Sequence, residues 1–307
     1  MLGRVYKSTG SWYLVCSKEG HPYQCRLRGK FKIKGLKVTN PLTVGDDVVF
    51  EIEDAQNKTG IITEIEPKKN YIIRKSIKNP NKGHILAANL DQAVLMVTLA
   101  YPRTSAGFID RFLVTAESFR IPTLLLFNKL DLMDEEQLAN QKALAAVYEG
   151  LNYKCHLISA LAESGVETFK ELLEGKTSLL AGHSGVGKST LINKIIPQAK
   201  QLTAEVSDFA QKGVHTTTFA EMFEINPNTH IIDTPGIKEL GLLEIGQEEL
   251  SHYFPEMRAL FGACKYYNCT HLHEPKCAVL KAVETGEIAE SRYLSYLSMM
   301  ENDDNRR

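Results

Sequence analysis

The residues with the clearest chemistry lie at 182–189, where Gly-His-Ser-Gly-Val-Gly-Lys-Ser matches the P-loop pattern G-x-x-x-x-G-K-[ST] without a gap. Glycines let backbone N–H groups close around phosphates, because side chains would block that approach. Lys188 would reach the β- and γ-phosphates and act in catalysis, and the Ser189 hydroxyl would bind Mg²⁺. The pattern therefore predicts a nucleotide-phosphate site. Its expected contacts are Gly182, His183, Ser184, Gly185, Val186, Gly187, Lys188, Ser189 and Thr190.

A second motif, Asn-Lys-Leu-Asp at 128–131, indicates which base is bound. The Asp131 carboxylate can accept hydrogen bonds from N1–H and the 2-amino group of guanine, a donor pair that adenine lacks. A Ser-Ala pair at 159–160 can supply a backbone N–H to the guanine carbonyl. The first motif follows the apolar strand 124–127, where a doubly wound sheet binds its ligand, and the Ser-Ala pair follows the predicted strand 154–158. The expected guanine contacts are Asn128, Lys129, Asp131, Ser159 and Ala160.

A third group of residues would complete a Mg²⁺ and γ-phosphate site. Asp233 opens the motif Asp-Thr-Pro-Gly and would hold Mg²⁺ through water, while the Gly236 N–H would sense the γ-phosphate. Thr216 and Thr217 precede this motif, where a threonine that completes the Mg²⁺ shell belongs. The sequence leaves open which of the two does so. The expected magnesium ligands are Ser189, Thr217 and Asp233.

Hydrolysis of a bound nucleotide would need help from outside these motifs. Ile237 stands where a water-orienting glutamine would follow Gly236, and its apolar side chain cannot orient water. Unassisted turnover is therefore expected at or below roughly 10⁻³ to 10⁻⁴ s⁻¹. One hypothesis is that His215 is brought over the γ-phosphate when a partner docks. The alternative is that His215 only orders its loop.

Three cysteines and a histidine near the C-terminus have the spacing of metal ligands. They follow the pattern C-x₄-C-x-H-x₅-C and form a closed tetrahedral set, which is typical of structural zinc. No open position would remain for water, so a catalytic metal is not expected. The alternatives are buried cysteines with a surface histidine, or His273 in place of His271. The candidate zinc ligands are Cys264, Cys269 and Cys277, with His271 or His273 as the fourth.

The order of these motifs is unusual. A P-loop GTPase ordinarily has the P-loop first, then the threonine, the Asp-x-x-Gly motif, Asn-Lys-x-Asp and Ser-Ala. Here the last two come first, so the order equals the ordinary one cut before its fourth strand, with the old termini joined near residues 175–176. Such permutation is tolerated where termini lie close together.

The elements that must position these residues divide the chain into three predicted domains. Residues 1–75 contain β-prone runs that fit a barrel of about five strands, of which the OB-fold is one. Residues 76–245 alternate strands and helices, which predicts a central α/β domain with a parallel sheet and helices on both faces. Residues 246–307 are mostly helical and hold the cysteine cluster. The expected barrel strands fall at 5–15, 24–33, 47–52 and 60–65.

Charge is distributed unevenly along the chain. Residues 1–75 carry 14 Lys and Arg against 8 Asp and Glu, a net charge of +6, while the remainder carries 22 against 29, a net charge of −7. A basic N-terminal domain favours a polyanionic partner such as RNA, although a solvated surface is the alternative. Tyr23 and Phe31 are candidate stacking residues. The basic run comprises Arg26, Arg28, Lys30, Lys32, Lys34 and Lys37.

The permuted order and the cysteine pattern together resemble the RsgA (YjeQ/YloQ) family over nearly the whole chain. The resemblance implies a GTPase that binds the small ribosomal subunit and its rRNA and acts in late subunit maturation, with structural Zn²⁺ and with Mg²⁺ bound beside GTP. It also favours His271 over His273 as ligand. An apolar N-terminal stretch is missing, so a cytoplasmic protein is expected, and nothing demands more than a monomer.

Two other functions compete with this one. The chain could be an RNA-binding module that uses GTP only as a switch ligand, with negligible hydrolysis. It could also be a P-loop ATPase or kinase, against which the guanine motif at 128–131 argues.

Overall fold

The N-terminal part of the chain forms a closed five-stranded barrel in the computed structural model, which describes residues 1–29, 38–75, 83–196, 220–234 and 245–301. The strands follow the order β1-β2-β3-β5-β4, and β4 pairs back onto β1. Only β3 and β5 run parallel. This arrangement confirms the predicted OB-type barrel. The strands are β1 Leu2–Ser8, β2 Tyr13–Ser17, β3 Pro22–Leu27, β4 Asp47–Asp54 and β5 Thr59–Ile65.

The expectation that residues 5–15 form one strand of the barrel was wrong. The β-prone run at 5–15 contains two antiparallel strands, because the chain reverses between Ser8 and Tyr13. Thr9 donates its N–H to the Trp12 carbonyl at 2.9 Å across this turn. Gly10 adopts a φ of +89°, which a glycine tolerates best.

A six-stranded sheet forms the central domain in the order β10-β9-β8-β11-β13-β12. The first five strands are parallel. Helices cover both faces, since α1 and α2 pack into one apolar cluster and α3 and α4 into another. The elements are β8 Gln92–Val97, α1 Ala106–Ser118, β9 Thr123–Phe127, α2 Glu135–Glu149, β10 Lys154–Leu157, α3 Glu163–Leu173, β11 Thr177–Ala181, α4 Lys188–Ile195, β12 Glu221–Asn226 and β13 Thr229–Asp233.

Two features of the sheets differ from the expectation. Strand β12 is antiparallel to β13, because a two-residue link leaves no room for the crossover that a parallel pair needs. A hairpin of β6 (Tyr71–Lys75) and β7 (Gly83–Ala88) was not foreseen. It spans the expected boundary at residue 75, and the three domain ranges stay predictions. The barrel meets the central sheet where Lys7 pairs with Glu221.

The C-terminal part is helical, as expected, and packs on the central domain. It comprises a 3₁₀ turn at Leu250–Tyr253 and three helices, and its apolar cluster includes Val114 of α1. Among the described residues, no helix is both long and apolar enough to cross a membrane. The helices are α5 Pro255–Arg258, α6 Ala278–Glu284 and α7 Glu290–Met300.

A buried ion-pair network joins α7 to the central domain. The Arg292 guanidinium, 1% exposed, donates to Asp110 of α1 at 2.6 Å and to Glu256 of α5 at 2.7 Å. The Tyr148 hydroxyl of α2 donates to the same Asp110 oxygen at 2.9 Å. Burial alone would lower the pKa of Arg292, but the two carboxylates raise it above its ordinary value. Side chains from α1, α2, α5 and α7 therefore form one network around the Arg292 guanidinium.

Removing this charge should destabilise the protein strongly. Arg292→Met would leave two buried carboxylates unpaired, and losing one partner of a buried pair costs about 3–5 kcal/mol. Arg258→Met is the matched control, because Arg258 pairs with Glu117 at an exposed site and such pairs contribute about 0–1 kcal/mol. Denaturant unfolding of both variants measures the difference. Equal losses of stability would contradict the prediction.

Candidate functional site

The predicted nucleotide-binding motifs lie along one edge of the central sheet. Strands β10, β9, β8, β11 and β13 are parallel, so their carboxyl ends share that edge. Four of these strands lead directly into a motif, and β8 leads into residues 98–105, which no motif includes. The motifs therefore lie together because their strands are neighbours in the sheet, whatever their order along the chain. The permutation changes that order and leaves the shared edge intact.

The P-loop has the conformation that its glycines allow. Gly182, Gly185 and Gly187 have φ values of +141°, +85° and +107°, which L side chains rarely adopt. A Cβ on Gly187 would stand 2.3 Å from Asn128 Nδ2, so no side chain fits there. Lys188 donates to the Gly182 carbonyl at 2.7 Å, across the loop. The exposed members of the loop are Ser184, Gly185, Ser189 and Thr190.

Two further P-loop residues face the protein. Val186 is fully buried. The His183 ring lies on the Phe108 ring of α1 with their centroids 3.9 Å apart. The P-loop therefore rests on α1, the helix that also carries Asp110.

The Asn128 side chain connects two of the motifs. Its Nδ2 donates to the Val186 carbonyl at 2.7 Å, and its Oδ1 accepts from the Ala160 N–H at 2.8 Å. The residue is 1% exposed. Asn128 was expected to line the base site, whereas in this structure its amide joins the P-loop to the Ser-Ala turn.

The residues predicted to contact guanine are oriented by hydrogen bonds. The Ser159 hydroxyl donates to Asp131 Oδ1 and itself accepts from the Leu161 N–H at 3.2 Å. Lys129 has a φ of +70°, and its ammonium donates to the Tyr101 carbonyl. Asp131 can therefore present its second oxygen to a base.

Asp233 has the properties of a cation ligand. Its Oδ1 is buried and has no hydrogen-bond partner among the described residues. Burial raises the pKa of this carboxyl, and the nearby Lys188 ammonium opposes that shift. A buried carboxylate oxygen without a partner is costly, and a divalent cation would satisfy it. The Asp233 carboxylate is therefore a suitable ligand for Mg²⁺.

Several predicted residues lie outside the described part of the chain. They include the four lysines of the basic run, Lys30, Lys32, Lys34 and Lys37, together with Phe31 and Ile237. Their roles stay predictions. The candidate catalytic and switch residues in this group are His215, Thr216, Thr217 and Gly236.

The metal cluster is assembled as the spacing indicated. Its four donor atoms, from Cys264, Cys269, His271 and Cys277, all lie within 4.8 Å of one another. Cys264 Sγ is 3.9 Å from Cys277 Sγ, and His271 Nδ1 is 3.4 Å from Cys277 Sγ. Tetrahedral zinc with bonds of about 2.3 Å to sulfur would place two thiolates about 3.8 Å apart. The donors therefore fit such an ion, and His273 is exposed outside the cluster.

Backbone and tyrosine contacts hold the cluster in place. The Ala278 N–H donates to Cys264 Sγ at 3.3 Å. From α7, the Tyr293 hydroxyl donates to the His271 carbonyl at 2.8 Å, and the Tyr296 hydroxyl to the Thr270 carbonyl at 2.6 Å. Such outer contacts orient metal ligands.

The described part of the basic run is paired with carboxylates. Arg26 contacts Glu53 at 2.5 Å and Arg28 contacts Glu51 at 2.6 Å. Arg26 lies on the exposed face of β3, as the alternation predicted, and the exposed Arg28 follows directly after the end of that strand. Tyr23 packs on the barrel residue Phe50, with ring centroids 5.2 Å apart. Exposed pairs of this kind are weak, so the arginines can exchange partners.

Sequence reasoning missed the loop that follows β8. The Tyr101 carbonyl accepts a hydrogen bond from the Lys129 ammonium, and the Phe108 ring packs on the His183 ring. Neither residue belongs to a motif. The available signal was the apolar run 93–99, because the loop after a parallel strand must reach the ligand edge.

Comparison with known proteins agrees with this geometry. The RsgA GTPase family model matches residues 65–243, and the RsgA N-terminal domain model matches residues 2–62. A Cytophaga hutchinsonii protein described as small ribosomal subunit biogenesis GTPase RsgA is 53% identical over 307 residues and covers both chains fully. A Bacteroides fragilis protein of the same description is 51% identical over 98% of this chain and 97% of its own length.

Two solved structures share the whole architecture. YjeQ from Thermotoga maritima superimposes with a TM-score of 0.77 at 37% identity, over 100% of this chain and 99% of its own. YloQ, described as a circularly permuted GTPase, does so with a TM-score of 0.74 at 31% identity, over 100% and 96%. The permuted order, the sheet edge that collects the motifs and these full-length matches agree: the chain belongs to the RsgA GTPase family.

Proposed function

We propose that this protein binds GTP with Mg²⁺ at the sheet edge, hydrolyses it to GDP and phosphate, and acts on the small ribosomal subunit during its late maturation. The observation that carries the proposal is the convergence of phosphate, base and cation motifs at one edge, although they lie in permuted order along the chain. The names of its relatives supply the ribosomal part.

Each part of the site has a distinct role in this proposal. P-loop N–H groups and Lys188 bind the phosphates and stabilise charge that develops during transfer. Ser189 and Asp233, with Thr217, hold Mg²⁺, which neutralises charge on the phosphates when it is bound. Asp131 and Lys129 hold the base, while Ser159 orients Asp131. His215 is the candidate that completes the site when the partner docks.

The C-terminal cluster binds structural Zn²⁺ in this proposal. Three sulfurs and one imidazole nitrogen are the donor set that zinc prefers, and a closed set leaves no position for water. The ion would hold the segment between Cys264 and α6, which has few apolar side chains of its own.

The partner is proposed to be rRNA of the small subunit, contacted by the barrel. Arg26 on β3 and Arg28 just after it are exposed and form weak ion pairs, so phosphates can compete for them. The protein is proposed to work as a monomer in the cytoplasm, where its relatives' ribosomal substrate is found.

The test is GTP turnover by the purified protein alone, with small subunits and with large subunits, at moderate salt. Slow turnover alone and strong stimulation by small subunits only would support the proposal. Tight GTP binding without any stimulation would favour a GTP-switched RNA-binding protein instead. His215→Ala then tests the candidate residue, because full stimulated turnover in that variant would remove it from the mechanism.

A further inference from the structure

Residues 98–108 connect the end of β8 to the first turn of α1, and two buried threonines close this loop. The Thr98 hydroxyl donates to the Pro102 carbonyl at 2.5 Å. The Thr104 N–H donates to the Thr98 carbonyl at 2.7 Å, and the Thr98 N–H donates to the Thr104 hydroxyl at 3.3 Å. The loop tip, Tyr101 and Pro102, is therefore tied to the sheet by hydrogen bonds.

The tip of this loop contacts motifs on both sides of the nucleotide site. On the base side, the Lys129 ammonium donates to the Tyr101 carbonyl. On the phosphate side, a Cβ on Gly185 would stand 3.5 Å from Pro102 Cδ, so the proline ring lies against the P-loop. A single rigid turn thus borders the space between the base motif and the phosphate motif.

The backbone of Tyr101, not its ring, faces this site. Tyr101 has a φ of +47°, and the residue is 77% exposed. Behind the loop, toward α2, a cavity of about 290 Å³ separates the two elements. Side-chain packing therefore leaves space on that side, and the threonine hydrogen bonds have to hold the tip. The residues that line the cavity are Leu99, Ala100, Arg103, Gln137 and Asn140.

We propose that the 98–108 loop is an additional element of the nucleotide site and that Thr98 is its positioning residue. The Thr98 hydroxyl fixes the Pro102 carbonyl, and with it the adjacent Tyr101 carbonyl, which accepts from the Lys129 ammonium and would hold that side chain beside a bound guanine. Thr98 thereby sets how long the nucleotide stays bound. This inference rests on the proposed guanine-nucleotide function of the site.

Thr98→Val removes the hydroxyl and keeps the shape of the side chain. We expect the dissociation rate of fluorescent mant-GDP to rise about fivefold to tenfold, the effect of one lost hydrogen bond. The association rate should change by less than about twofold, because such effects act mostly on dissociation. Stopped-flow chase with unlabelled GDP measures both rates.

The matched control is Thr115→Val. Thr115 is a buried residue of α1. Its hydroxyl donates to the Arg111 carbonyl at 2.8 Å, away from every motif. It should leave the dissociation rate unchanged. Thr98→Ser keeps the hydroxyl and should restore the wild-type rate. In a Lys129→Met background, Thr98→Val should add less than about a twofold change, because the contact it supports is gone.

The inference is overturned if Thr98→Val dissociates GDP at the wild-type rate, or if Thr98→Ser is as fast as Thr98→Val. A full effect of Thr98→Val in the Lys129→Met background would also overturn it. Wild-type protein that does not bind mant-GDP would overturn the proposed function itself. Tight binding that Thr98→Val leaves unchanged would overturn this inference alone.

Discussion

Replacing Asp131 by Asn is expected to change the base that the site accepts from guanine to xanthine. In the proposed site the carboxylate would accept from N1–H and the 2-amino group of guanine, and the Ser159 hydroxyl donates to one of its oxygens. An asparagine amide presents a donor toward the 2-amino group, which is itself a donor, so guanine loses a partner. Xanthine has a carbonyl at that position and can accept. We expect GTP affinity to fall at least about 1,000-fold, because sites built around hydrogen bonds reject mismatched groups strongly.

The matched control for this change is Asp134→Asn, three residues further along the chain. Asp134 is the N-cap of α2, and asparagine caps a helix about as well as aspartate does. That variant should keep GTP affinity. Equilibrium titration of each variant with GTP and XTP measures the exchange. An Asp131→Asn variant that binds GTP normally, or XTP no better than the wild type does, would contradict the assignment.

Loss of the metal is expected to unfold the C-terminal cluster while the central sheet stays folded. Cys277 is both a donor in the cluster and the N-cap of α6, and Cys277→Ser removes the thiolate donor while the serine hydroxyl can still cap the helix. Structural zinc contributes about 10–16 kcal/mol of apparent binding free energy in small zinc peptides. We therefore expect residues 264–284 to lose protection from hydrogen exchange in Cys277→Ser or after chelation. Strand β11 should keep its protection.

Cys155→Ser is the control, because Cys155 lies on β10 outside the cluster. It should retain one equivalent of zinc and wild-type exchange at 264–284. Hydrogen-exchange mass spectrometry together with metal analysis checks both variants. Chelation that removes the metal and leaves exchange at 264–284 unchanged would show that the cluster is not what holds this segment.

Motifs whose chemistry is local to a few consecutive residues were predictable from the sequence. The P-loop requires glycines between a strand and a helix, and β11 and α4 stand on either side of it. The helix Glu290–Met300 lies within the range 246–307 that was predicted to be mostly helical. The four donors of the metal cluster lie within fourteen residues, so their spacing alone indicated a common ion.

Features that depend on contacts between distant residues could not be predicted. Asp110 and Arg292 are 182 positions apart, and each looks like an ordinary surface charge in its own helix. Asn128 begins a recognisable motif, yet its side-chain amide hydrogen-bonds to the P-loop and to the Ser-Ala turn. These bonds form because the two loops lie beside Asn128 in the folded sheet, although they are distant from it in sequence. The reversal after Ser8 was hidden because residues on both sides favour strands equally.

The most direct test of the central claim, that the permuted chain folds into one guanine-nucleotide site, is a competition titration. Bound mant-GDP would be displaced by GDP, IDP or ADP, of which IDP lacks only the 2-amino group. GDP is expected to compete best, IDP to be about tenfold weaker because it loses one hydrogen bond to Asp131, and ADP not to compete in the same range. Displacement by ADP as effective as that by GDP would contradict it.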